Sequence, residues 1–337
     1  MKKLCLALAL ASLSVITASR ATTIIENFTN NPACDGWRIF GDTNLFCWDS
    51  TNHVLDVTWD SSQSNSFFYI PLGNVLTKSD DFSFSFDLTL TRASTGDSTG
   101  PLSLALGFLN LTNAIDPGFE RGAGVSPNIA EFDYYPAGYF PPSYPSPATA
   151  TPSFVDSTSS AFAPDDLTPY QIELPTNVLM HIALAYTASN QTASLSIVTN
   201  GTALAQFPGL VINPTGNGGF AATNDYRVDM FSVTSFSEAG TYPPYVASIY
   251  AQGTVSNLVV TVPPPPVLGL SGTFSNGLWQ AQFISRSNWL YTLECTTNFV
   301  SWTDVSATTS GNGTNQFLED VNAPASRGFY RIRAERP

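Results

Sequence analysis

Nine consecutive residues constrain this chain more than any other feature in it. Phe82-Ser83-Phe84-Ser85-Phe86-Asp87-Leu88-Thr89-Leu90 carries an apolar side chain at every second position. Side chains of an extended strand point alternately to opposite faces, so the run reads as a strand with one buried and one solvated face. A helix would scatter the same rings around its whole circumference. The pattern recurs in Pro101–Phe108, His181–Tyr186, Ala193–Ile197 and Arg227–Val233, and Leu258-Val259-Val260 closes the region. Turn residues fall between these runs at Thr95-Gly96-Asp97, Asn200-Gly201 and Asn217-Gly218-Gly219. No window of helical length shows a 3.6-residue period. Many short strands with turns between them predict an all-β sandwich.

One break in this pattern divides the chain. Pro263-Pro264-Pro265-Pro266 cannot feed a sheet ladder and favours a stiff polyproline segment. The expected organisation is a large β domain over 22–262, a linker at 263–266 and a small β-sandwich module over 267–337. The module's strands are read at Leu278–Phe283, Trp289–Leu293, Phe317–Glu319 and Phe329–Ile332.

The first 21 residues read as a signal peptide. Lys2 and Lys3 precede the short apolar run Leu4–Ile16, and Ser19-Arg20-Ala21 supplies small residues for cleavage. The run is too short to span a bilayer, and no later segment is apolar enough to do so. The expectation is a secreted or cell-surface protein without membrane insertion. In an oxidising compartment Cys34 and Cys47 are the expected disulfide, closing a short loop, and Cys295 is left as a buried thiol in a strand. Cysteine and histidine spacing offers no zinc site.

Charge excludes further classes. Lys and Arg number 13 against 26 Asp and Glu, for a net charge of −13. A protein that neutralises phosphates needs a basic face, so nucleic acid is not an expected partner, and anionic lipid is disfavoured too. The only histidines are His53 and His181, and no Gly-x-Ser-x-Gly elbow accompanies them. A Ser/His/Asp hydrolase is not expected. Asp165-Asp166 and Asn224-Asp225, with Asp229, read equally as loop ligands for Ca and as turn formers.

Chemistry concentrates in Asn128-Ile129-Ala130-Glu131-Phe132-Asp133-Tyr134-Tyr135-Pro136. Alternation puts Glu131, Asp133 and Tyr135 on one strand face. The two acids then stand about 7 Å apart along the strand. Such a pair can hold a hard cation, share acid–base work, or be a solvated sheet face of an acidic protein. Just downstream, Tyr139, Phe140 and Tyr144 are interleaved with Pro136, Pro141, Pro142 and Pro145. Proline-stiffened rings can stack on sugar C–H faces, or pack on their own sandwich.

These residues carry a resemblance. Glu131-Phe132-Asp133-Tyr134-Tyr135-Pro136 resembles the Glu-x-Asp-x-Tyr-Pro strand of legume-type lectins. The resemblance implies that Glu131 and Asp133 ligate metal, Ca among them, and that Tyr135 offers its backbone carbonyl. Bound Ca would order the sugar-binding loops. The further Asn, Asp and His of that family have no counterpart in Ala137–Pro145. The strands Leu104–Phe108, Met180–Tyr186 and Ala193–Val198 likewise resemble the concanavalin A-like, laminin G-like jelly roll. The tail, through Tyr291–Glu294, Asn298–Trp302 and Gly328–Arg331, resembles small C-terminal β modules of exported bacterial proteins.

The same strand is also similar to the Glu-x-Asp-x-Glu signature of laminarinase-type glycoside hydrolases. There the third position, which must protonate the leaving oxygen, falls on Tyr135 or Pro136, and neither can serve. The expected function is therefore non-catalytic binding of a polysaccharide or cell-surface glycan, with Glu131, Asp133, Tyr135, Tyr139 and Tyr144 as contacts. A structural or adhesive surface protein and a degenerate hydrolase are the alternatives.

Overall fold

The alternating run forms the long strand β6 at the centre of a large sheet, and its apolar face is the protein's core. In the computed structural model Phe82, Phe84, Phe86, Leu88 and Leu90 are all buried, while Ser83, Ser85, Asp87 and Thr89 between them are half-buried. The structure describes residues 22–95, 104–119, 128–136, 147–155, 161–162, 171–212, 226–236, 249–287, 289–324 and 327–335. The proposed signal peptide lies outside these residues. Contacts divide the chain into two units, Ala21–Pro266 and Val267–Pro337.

In chain order the strands of the first unit are β1 (Thr22–Glu26), β2 (Arg38–Phe40), β3 (Phe46–Asp49), β4 (Val54–Asp60), β5 (Ser66–Leu76), β6 (Phe82–Thr95), β7 (Leu104–Leu109) and β8 (Ile129–Tyr135). There follow β9 (Thr149–Val155), β10 (Ala161–Phe162), β11 (Leu179–Thr187), β12 (Thr192–Thr199), β13 (Thr202–Val211), β14 (Val228–Ser235) and β15 (Ile249–Val262). They build two antiparallel sheets. The eight-stranded sheet runs β13-β12-β11-β6-β15-β4-β3, with β1 also on β15, and the seven-stranded sheet runs β10-β9-β8-β7-β14-β5-β2. Strands far apart in sequence are neighbours in both, as in a jelly roll.

The two sheets face each other through interlocking rings. Phe84 meets Phe108 of β7 and Phe231 of β14 edge-on, with centroids 5.7 and 5.2 Å away. Phe86 meets Phe132 of β8 in the same manner at 5.8 Å. Such edge-to-face pairs add to the burial of apolar area that holds a sandwich together. A bulge relaxes β6 against β15 where Gln252 and Gly253 share a register shift. A Cβ at Gly253 would lie 2.4 Å from the Thr89 carbonyl oxygen, so only glycine fits there.

Several expectations need correction. The Cys34–Cys47 bridge is not formed: both thiols are free and exposed. Cys34 sits in a short 3-10 turn fixed by Asn31, whose Oδ1 accepts the Ala33 N–H. Cys47 points outward from β3 because its neighbour Phe46 takes the core side. Nearness in sequence therefore did not bring the two sulfurs together. His53 is in a turn, with φ of 56°. Of the Asp and Asn residues read as loop ligands, Asp165, Asp166, Asn224 and Asp225 lie outside the described residues. Asp229 accepts the Leu111 N–H at 2.7 Å and caps a one-turn helix, α1 (Leu111–Ala114). The Asn74 side-chain amide donates to the carbonyls of Pro263 and Pro264, at 3.1 and 3.4 Å.

The second unit has its own sandwich. Its strands are β16 (Leu268–Ser275), β17 (Leu278–Ile284), β18 (Leu290–Thr296), β19 (Thr303–Asp304), β20 (Thr309–Ser310), β21 (Asn315–Asp320) and β22 (Phe329–Glu335). Sheets β16-β17-β21 and β19-β18-β20, the latter with β22 also on β18, enclose Ala281, Phe283, Trp289, Tyr291, Leu293 and Leu318. Buried Glu294 on β18 takes Arg331 and Arg333 from β22 as partners.

Candidate functional site

The site is built on β8, whose two faces do different work. Ala130, Phe132 and Tyr134 point into the core between the sheets. Glu131 and Asp133 point to the other face of the seven-stranded sheet, and both are completely buried. The solvated sheet face that the sequence allowed for these acids is thus overturned. That outer face carries a second apolar cluster, with Phe67, Phe119, Phe236, Met230 and Ile129 among its members, which covers part of it. Among the described residues, the rings of Phe67, Phe119 and Phe236 pack on one another at 6.1 to 6.2 Å.

Register fixes what stands beside the acids. Glu131 lies between Gly107 of β7 and Ser153 of β9, and Asp133 lies between Ala105 and Thr151. One strand further, on β14, Ser232 is opposite Gly107 and Thr234 is opposite Ala105. The hydroxyls of Ser232 and Thr234 are 2.6 Å apart. Two carboxylates therefore sit in a patch of small and hydroxyl-bearing side chains. Gly107 is required for this arrangement: a Cβ there would lie 2.4 Å from the Glu131 Cα and 2.5 Å from its Cβ.

Burial marks the electrostatics of the surroundings. Both acids take part in interactions within the chain. Tyr226 is fully buried and held well above its ordinary pKa, chiefly by burial, with Tyr186 and the charge of Glu131 adding to it. Tyr134, on the opposite face of β8, is pushed up to about 12 by burial and by Glu173, against the pull of the Leu174 N–H.

The donor set suits a hard cation. Carboxylate and hydroxyl oxygens are what Ca²⁺ takes, usually six to eight of them. Among the described residues no group of three or more His, Cys, Asp or Glu comes together. What the described residues bring together here is two carboxylates with Ser153 and Thr151 beside them on β9. Of the other expected contacts, Tyr135 is half-buried on the same strand, and Tyr139 and Tyr144 lie outside the described residues. His181 is remote from the site: it holds Asp87 on the eight-stranded sheet, Nδ1 to Oδ1, at 2.8 Å.

Sequence reading missed Thr151, Ser153, Ser232, Thr234 and Gly107. Thr149, Thr151 and Ser153 do alternate with Ala150, Pro152 and Phe154, but a proline inside such a run disfavours a central strand.

No protein-family model matches the chain, and no curated protein does. Solved structures similar to the chain include legume lectins. Peanut lectin with a nine-residue peptide aligns at a TM-score of 0.43 and 14% identity, over 72% of this chain and 98% of that one. Lectin UEA-II complexed with galactose gives 0.40 and 14%, over 73% and 99%. Winged bean acidic lectin complexed with methyl-α-D-galactose gives 0.41 and 10%, over 72% and 99%.

Proposed function

We propose that this is a secreted or cell-surface, non-catalytic carbohydrate-binding protein. In this reading it works through the outer face of the seven-stranded sheet, with Glu131 and Asp133 holding a Ca ion that orders the sugar-contacting loops. The observation that carries it is the pairing of two fully buried carboxylates on one strand face beside hydroxyl side chains. Ionised carboxylates at such depth need compensating charge or hydrogen bonds, and a divalent cation supplies the charge. Tyr135 at the next position of the same face, half-buried, gives a ring and a carbonyl close to that centre. The order Glu131, Asp133, Tyr135 leaves the third place without a carboxylic acid, which speaks against retaining hydrolysis.

The test is a glycan array probed with the full chain in calcium and again in chelator. Binding to a set of glycans that requires calcium, and that is lost in chelator and in the near-isosteric double variant Glu131→Gln/Asp133→Asn with unchanged circular dichroism, is the expected result. An array without any calcium-dependent binding overturns the reading. Exposed apolar groups on the second unit favour adhesion as a second reading. Val300 and Phe299 are 87% and 60% exposed, and Phe299 packs on Phe329 at 4.0 Å. If no glycan is bound, contact through that patch becomes the better account.

A further inference from the structure

The second unit contains a cavity of about 460 Å³ that the lectin-like reading of the first unit does not use. That volume falls within the roughly 300–1,000 Å³ of ordinary small-molecule sites. Exposed Thr297, Ser301, Thr303, Asp304 and Asn322 and buried Asp320 line it. Val305 and Pro324 add an apolar patch.

The lining is held in shape before any ligand arrives. The Thr296 hydroxyl accepts the N–H groups of Asn298 and Phe299, at 3.2 and 3.1 Å. The Asn298 side-chain oxygen accepts those of Val300 and Ser301, at 2.9 and 3.1 Å. These bonds fix the turn that leads into β19. Such preorganisation lowers the ordering cost of binding.

Both carboxylates in the lining are already engaged. Asp304 accepts two N–H groups of Arg333, at 3.1 and 3.2 Å. Asp320 is buried; it accepts the Asn322 N–H and the Tyr330 hydroxyl, each at 2.9 Å. The Tyr330 ring is stacked on Trp279 at 4.6 Å. A cation entering here would compete with Arg333 for Asp304, and an anion would meet two acids in a protein of net charge −13. A neutral ligand rich in hydroxyls meets neither obstacle. Its O–H groups can donate to the remaining lone pairs of Asp304 and Asp320, its oxygens can accept from the lining, and its C–H face fits against Val305 and Pro324.

We propose that this cavity is a second, cation-independent binding site for one neutral sugar residue. It does not rest on the calcium reading of Glu131 and Asp133. The test again uses the full chain, on a printed array of neutral mono- and oligosaccharides, now in chelator throughout. The expected result is binding that persists in chelator and in Glu131→Gln/Asp133→Asn. Ser301→Trp, which fills the cavity, and Asn322→Ala, which removes the lining amide, should each weaken that binding roughly tenfold or more. Both positions are exposed, so thermal midpoints should stay unchanged. No neutral glycan bound in chelator, or binding unaltered by both variants, overturns the proposal. Failure of the calcium-dependent binding alone leaves it standing.

Discussion

At the scale of single residues, two positions make sharp tests. Gly107 has no space for a side chain, because Ala130, Glu131 and their backbone lie within 2.5 Å of where a Cβ would be. Gly107→Ala must push β7 from β8 or move Glu131, and such overpacking costs about 1–3 kcal/mol. Denaturant unfolding should show a loss of that size, and an unaltered midpoint would mean that the strands separate freely. Glu26 tests burial of charge. Its carboxyl is buried, and desolvation raises its pKa above 4.5 more strongly than the Phe28 N–H and the Trp37 side chain lower it; Asp35 raises it further. The folded state therefore binds this proton more tightly than the unfolded chain. The stability it brings is present at pH below the ordinary value and is lost as pH rises through the raised one. Glu26→Gln keeps an acceptor for Phe28 and cannot ionise, so the fall of the thermal midpoint from acid to neutral pH should become shallower. An identical slope in wild type and variant would show that the residue does not titrate differently on folding.

At the scale of elements, β6 was legible over Phe82–Leu90 because the pattern there is self-contained: alternation states both the conformation and the buried face, whereas its continuation to Thr95, a residue read as part of a turn, had no such signal. Phe84→Ala removes a ring that touches both Phe108 and Phe231, and should cost about 3–5 kcal/mol. Ser85→Ala, on the half-buried face, should stay within about 0.5 kcal/mol. Reversal of that order in denaturant melts would put the core on the other face. β8 was legible only by half. Its alternation separated Glu131 and Asp133 from Phe132, but it said nothing of what lies over the acids' face. Part of that face is covered by Phe67, Phe119 and Phe236, which come from three distant parts of the sequence and meet only in the folded chain. The cysteines failed for the same reason. Thirteen positions of separation made a bridge between Cys34 and Cys47 attractive, yet a capped turn and an outward strand position decide where the two thiols go. Pairings between remote strands, such as β6 with β15, also had no local signal, because a ladder is specified by both partners at once.

At the scale of the whole molecule, the division after Pro266 should be visible in how the chain unfolds. Each unit closes its own sheets, and the described core clusters draw their buried members from one unit or the other. Cooperativity follows packing, so a chain with separate cores need not melt as one. The larger unit buries two clusters and a dense array of rings, and the smaller rests on a handful of side chains around Tyr291 and Leu293. Small cores leave little margin, so the second unit should melt first. Calorimetry of the full chain is expected to resolve two transitions, with Leu293→Ala lowering the first and Phe84→Ala the second. Asn74→Ala frees the carbonyls of Pro263 and Pro264 from the first unit, and should lower the second transition by a small amount only. A single transition displaced by all three variants would mean that the two units stabilise each other. The proline run would then have to be regarded as part of one continuous structure.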